Sequence, residues 1–156
     1  MKKTMTTGDA ERIAISNRRA RYEYEIIDSY EAGIVLLGSE VKSLRQGKAN
    51  LQDSYAVLKN GEVWLLNMHI NPYEQANRFN HDPVRTRKLL MQKSEIRKLI
   101  GKTHEKGLTL VPLKVYFKKG FAKVEIGLAR GKKLHDKRET IKERDTEREM
   151  RRSKHR

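Results

Sequence analysis

Three features of this 156-residue sequence predict a mainly β domain, a small closed six-stranded barrel with two or three short helices, trailed by a basic tail. Apolar and polar residues alternate with a period of two in several short segments. Glycine and asparagine punctuate those segments at turn positions. The last 26 residues, by contrast, carry 17 charged side chains and only Leu134, Ile141 and Met150 as large apolar ones, too few to build a core.

Residues 1–10 form a polar leader, expected to be disordered. After NRRAR (17–21), Tyr22, Tyr24 and Ile26 alternate with Glu23 and Glu25, the pattern of a half-buried strand. Glu31-Ala32-Gly33 is expected to turn the chain into a second strand over residues 34–37. SEVKSLRQG (39–47) predicts a short helix: Ser39 can cap its amino end, Val41 and Leu44 share a face, and Gly47 suits a left-handed stop. SYAVLK and EVWLLN flank Asn60-Gly61, a strong type I′ hairpin signal. Residues 71–83 are loop-like, bounded by Asn71-Pro72 and Asp82-Pro83.

RTRKLLMQ (85–92) is extended or pre-helical, and SEIRKLIG (94–101) repeats the serine cap and glycine stop of the first helix. Two longer alternating strands follow. Leu113, Val115 and Phe117 are expected on one face of residues 110–117, and Ala122, Val124, Ile126 and Leu128 on one face of residues 121–128. Lys118-Lys119-Gly120 joins them, and Pro112 suggests an edge or a bulge. Strands of this number and length fit a barrel of the oligonucleotide-binding kind over residues 11–130, with residues 131–156 as the tail.

The chain has 35 Lys and Arg against 20 Asp and Glu, a net charge of +15. That balance points to a polyanionic partner. Nucleic acid comes first, because neutralising phosphates releases counterions. An acidic membrane surface is second and a merely well-solvated surface is the bland alternative. No run approaches 18 apolar residues, so no membrane-spanning helix is expected. Cysteine is absent, which removes disulfides and thiolate metal sites and fits a reducing cytoplasm.

The tail would be polar on every side as a helix, so it is expected to order only against a polyanion. His135-Asp136 lacks the converging ligands of a metal-dependent hydrolase, and no nucleophile motif or phosphate loop is present, so no enzyme is expected. Lys42, Arg45 and Lys48 gather beside the first helix, and Arg85, Arg87 and Lys88 form a second basic cluster. With one Trp and three Phe, recognition by shape and phosphate contact fits better than extensive base stacking.

GSEVKSLRQGKANLQDSYA, DPVRTRKLLMQ and GLARGKKLHDKR resemble, in order and spacing, the motifs of the small protein B family, the SsrA-binding proteins of bacterial trans-translation. The resemblance runs from about Ile13 to the C-terminus. It implies an oligonucleotide-binding-type barrel that binds the tRNA-like domain of transfer-messenger RNA and carries it, alanyl-charged, to a stalled ribosome. It also implies a C-terminal tail that is disordered in solution and becomes helical in the decoding centre and empty messenger channel.

Glu31 and Leu90 match positions that family uses for RNA binding, and Gln92 stands where it usually has Asn or His. Lys132, Lys133, His135, Asp136, Lys137 and Arg138 match its decoding-centre motif, and Met150 is the expected apolar anchor of the tail. The expected partners are therefore transfer-messenger RNA and the ribosome, chiefly its small subunit. No membrane, small-molecule substrate or cofactor is expected, and the protein is expected to be a cytoplasmic monomer. A general structured-RNA-binding or ribosomal protein with a basic extension is the alternative.

Overall fold

The computed structural model describes residues 12–104 and 107–131, with the side chains of residues 77–79 excepted. The leader (1–10) and the tail from Lys132 onward, including His135, Asp136 and Met150, lie outside the described residues. In chain order the elements are β1 (Arg12–Ser16), α1 (Ala20–Glu23), β2 (Tyr24–Ile34), α2 (Gly38–Arg45), β3 (Ala49–Asn50), β4 (Tyr55–Lys59) and β5 (Glu62–Leu66). Then come β6 (His69–Ile70), a 3-10 helix (Glu74–Phe79), β7 (Arg87–Leu90), α3 (Lys93–Thr103), β8 (Leu108–Lys118) and β9 (Phe121–Gly131).

Six strands close into a ring. β8 pairs β4, β4 pairs β5, β5 pairs β7, β7 pairs β2, β2 pairs β9, and β9 returns to β8, all antiparallel. β1 adds outside the ring along β8, and β3 with β6 makes a separate two-stranded pair. The β4–β8 seam is the narrowest, with the single pair Ala56↔Leu110. The interior is filled by alternate side chains of each strand, among them Val63, Leu65, Leu89, Val115, Val124 and Ile126, all at most 2% exposed. Leu44 of α2 and Leu99 of α3, each fully buried, complete this core.

The number of ring strands agrees with the sequence, but their membership differs. Glu31-Ala32-Gly33 is not a turn. β2 runs through it without a break, paired with β9 as far as Gly33↔Lys123. Continuous pairing on β9 outweighs the local turn preference of glycine. Residues 35–37 are consequently a connection into α2 rather than a strand, and the sixth ring strand comes from residues 87–90. β1 had no counterpart in the expected elements, and Tyr22 and Glu23 belong to α1 instead of the first alternating strand.

Both helix caps also differ. α2 begins after Leu37, whose backbone N–H donates to Glu40 Oε1 at 2.8 Å, while Ser39 lies within the helix and meets His81 Nδ1 at 2.9 Å. Gly47 does take the expected left-handed φ of +70°. α3 starts one residue before Ser94 and continues through Gly101, because Ile96 and Leu99 dock on the core and extend the helix past that glycine.

The bulge expected near Pro112 is present, between Pro112 and Lys114, and it has a consequence for facing. Leu113 does not share a face with Val115 and Phe117. It packs instead outside the ring with Ala20, Val111 and Ala129, in a second small core under α1. An extra residue in one strand reverses the parity of everything beyond it. The Asn60-Gly61 hairpin is as expected, with φ of 54° and 73° at its two central residues.

Candidate nucleic-acid interface

Odd-numbered residues of the second half of β2 point away from the core that Tyr30, Ala32 and Ile34 join. Glu31 is thus set on the outer surface of the ring, beside Gly33. The register places Leu90, Gly33, Lys123 and Tyr116 in one row across β7, β2, β9 and β8. Leu90 is the last residue of β7 and Gln92 the residue that precedes α3, so the strand end brings both to the same place. Together Glu31, Gly33, Leu90, Gln92, Glu95 and Lys123 line one shallow open cleft. Its floor is bare backbone at Gly33, where a Cβ would stand 3.4 Å from that of Leu90.

Leu90 is 53% exposed despite being aliphatic, and its neighbour Leu89 is in the core. Glu31 is held in place from β8, the next strand but one, across β9. The Tyr116 hydroxyl donates to Oε2 at 2.5 Å, and Lys118 Nζ lies 3.4 Å from the same oxygen. The Tyr116 bond, aided by the charges of Lys118 and Lys123, outweighs partial burial and holds the carboxyl below its ordinary value. Glu31 is therefore ionised at neutral pH, oriented, and able to accept an N–H or O–H from a ligand through Oε1. An apolar side chain, an amide and an oriented carboxylate form a surface that can read a base or ribose edge.

The first basic cluster is on the surface. Val41 and Leu44 turn α2 toward the core, which leaves Lys42, Arg45 and Lys48 exposed. Lys42 Nζ stands 5.4 Å from the ring centre of Tyr73, and the Arg45 guanidinium 4.6 Å from that of Phe117. The Arg45 stack ties the basic end of α2 to the end of β8, one residue from the Lys118 that supports Glu31.

The second cluster divides, and here the sequence expectation needs correction. Arg87 is fully buried, so it presents no charge to a polyanion in this structure. Its Nε donates to Glu40 Oε2 at 2.5 Å, and its terminal nitrogens donate to the carbonyls of Met68 and Pro83. The cause is strand alternation: in β7, Arg87 and Leu89 point inward, whereas Lys88 and Leu90 point outward. Arg85 is partly exposed and donates to Glu40 Oε1 at 2.6 Å and to the Val35 carbonyl. Lys88 shares the outer face with Leu90 and pairs with Glu62 at 3.1 Å.

The importance of Glu40, Tyr116, Lys118 and Lys123 was not foreseen. The last three occupy outward positions of strands whose alternation was visible. Their convergence on Glu31 depends on strand order, which alternation does not specify. Lys132, Lys133, His135, Asp136, Lys137, Arg138 and Met150 lie outside the described residues. Among the described residues no helix is long and apolar enough to cross a membrane.

The comparisons with known proteins agree with one another. The family model described as SmpB protein matches residues 14–156. An SsrA-binding protein of Desulforudis audaxviator is 63% identical over 145 residues, covering 93% of this chain and 95% of that one. One from Thermosynechococcus vestitus is 59% identical over 147 residues, 94% of this chain and 97% of the relative. A solved chain described under "tmRNA-SmpB: a journey to the center of the bacterial ribosome" superposes with a TM-score of 0.68 at 54% identity, covering 81% of this chain and 93% of its own. With a family model matched over nearly its whole length and relatives near 60% identity, this chain belongs to the SmpB protein family.

Proposed function

We propose that this protein binds the tRNA-like domain of transfer-messenger RNA and delivers it to stalled bacterial ribosomes in the cytoplasm. It acts as an RNA-binding partner, not as an enzyme. The observation that carries the RNA site is the cleft in which β2, β7 and the start of α3 bring Glu31, Leu90 and Gln92 together on a chain of net charge +15. Lys42, Arg45, Lys48 and Lys88 supply phosphate contacts from the domain surface, while Arg87 supports β7 from inside. Beyond the folded domain, Lys132, Lys133, His135, Asp136, Lys137 and Arg138 engage the decoding centre, and the tail, with Met150 as its apolar anchor, occupies the empty messenger channel.

Glu31→Ala is expected to weaken binding to the isolated tRNA-like domain in a gel-shift titration while leaving the fold intact. The side chain is 40% exposed, and the loss of the Tyr116 hydrogen bond is expected to cost about 1 kcal/mol. Leu90→Asp is expected to do the same, since Leu90 is over half exposed and its loss leaves no core cavity. Unchanged affinity in both variants removes the cleft as the site. Sequencing RNA that co-purifies with the protein separates the two classes of partner. One dominant species with a CCA acceptor end supports transfer-messenger RNA, and a broad spread of ribosomal fragments supports a general RNA-binding protein.

A further inference from the structure

Phe121 is 70% exposed, the most exposed large apolar side chain among the described residues. It is the first residue of β9, directly across from Lys118 at the end of β8. Lys119 and Gly120, with φ of 52° and 81°, make the tight two-residue turn between them. Strand alternation puts Phe121 on the outer face with Lys123 and Lys118, because Ala122 and Val124 face the core. Lys123 lines the Glu31 cleft, and Lys118 Nζ lies 3.4 Å from Glu31 Oε2. Phe121 therefore stands one pleat repeat, about 7 Å, along the strand from the cleft wall.

We propose that Phe121 is a stacking platform for an unpaired base of the RNA whose neighbouring nucleotide occupies the Glu31 cleft. The inference rests on the RNA reading of that cleft. An aromatic ring at a protruding hairpin end, with Lys118 and Lys123 on the same face, matches an unpaired nucleotide in both parts: the ring meets the base face and the ammonium groups meet the phosphate. A sequence-tolerant stack of this kind complements Glu31, which reads by hydrogen bonding. Folding supplies no competing reason for the residue, since the ring contributes little to the core.

The test uses the full chain and an in-vitro transcript of the tRNA-like domain. Phe121→Ala is expected to reduce affinity about 5- to 100-fold, the range found for lost base–aromatic stacks. Phe121→Trp is expected to retain affinity, and Phe121→Leu to fall near alanine because it keeps apolar area without a π face. The slope of log affinity against log salt should stay that of the parent chain, since no phosphate contact is removed. The indole emission added by Phe121→Trp, taken as the difference from the parent chain with its single Trp64, should be quenched when RNA is added.

Wild-type affinity in Phe121→Ala overturns the proposal. If that variant binds the transcript as the parent chain does and loses only ribosome association, the ring meets the ribosome instead, and stacking on the tRNA-like domain is again overturned. Leu matching Phe reduces the contact to simple apolar burial, which also overturns it. Glu31→Ala run in parallel keeps the two readings apart. A defect in Glu31→Ala alone condemns only the stack, whereas wild-type affinity in both condemns the cleft as well.

Discussion

Replacing Glu40 with alanine is expected to cost about 3–5 kcal/mol of stability, the range for removing one partner of a buried ion pair. Glu40 is fully buried, and its two oxygens answer three donors: Arg85 at 2.6 Å, Arg87 Nε at 2.5 Å and the Leu37 N–H at 2.8 Å. The variant would leave the Arg87 guanidinium buried without its carboxylate. That charge also holds the Met68 and Pro83 carbonyls, so the damage extends to the segment leading into β6 and the loop before β7. Chemical denaturation followed by circular dichroism measures the loss. A change below about 1 kcal/mol, the scale of an ordinary hydrogen bond, would show that water or a rearranged Asp82 substitutes for Glu40.

The same carboxylate makes stability acid-sensitive in a defined direction. Burial alone would raise the Glu40 pKa, but donation by Arg85, Leu37 and Arg87 outweighs it and holds the folded value below the ordinary 4.5. The unfolded chain then binds a proton at a pH where the folded chain does not. The contribution is fully present above the ordinary value of 4.5 and is lost as pH falls from there through the depressed folded value. Glu40→Gln should flatten that part of the stability–pH curve while lowering stability at neutral pH.

Ending the chain after Gly131 is expected to leave a folded, RNA-binding domain and to abolish tagging of stalled proteins in a reconstituted translation system. Gly131 is the last residue of β9, paired with Tyr24, so truncation there removes no described strand or helix. Residues 132–156 contain 11 Lys and Arg and 6 Asp and Glu, so their loss removes five of the fifteen net positive charges. The remaining domain stays strongly basic and keeps the cleft and the α2 cations. Affinity for the tRNA-like domain should therefore change little. An unaltered far-ultraviolet spectrum for the domain, together with lost tagging, is the expected pair of results. Retained tagging would reduce the tail to a solubility device.

Much of the domain was legible in local pattern. The Asn60-Gly61 hairpin, the Val124–Ile126–Leu128 alternation and the apolar face of α2 were visible because periodicity and turn chemistry are properties of adjacent residues. The resemblance of GSEVKSLRQGKANLQDSYA and its companion motifs gave Glu31, Leu90 and Gln92 as candidates. The structure brings those three to one cleft, although Glu31 is far from the other two in the chain. The basic character of the α2 surface was also visible, since the apolar stripe of that helix assigns Lys42 and Arg45 to the opposite face.

Where the sequence misled, competition between local preference and distant pairing was the cause. Ala32-Gly33 has the composition of a turn, yet eleven residues of β2 stay extended because β9 pairs along them. RTRK has the composition of a phosphate-binding patch. Its second arginine, Arg87, nevertheless points inward, because β7 is pairing with β2 and β5 and the fold supplies Glu40 as a counter-charge. Leu113 changed faces through a one-residue bulge. Amino-acid sequence alone determined the charge, the Asn60-Gly61 hairpin and the family motifs, which depend on composition and near neighbours. Tertiary structure decided which arginine is structural, which lysines reach Glu31 and where Phe121 stands, because strand order and register are set by contacts between residues far apart in the chain.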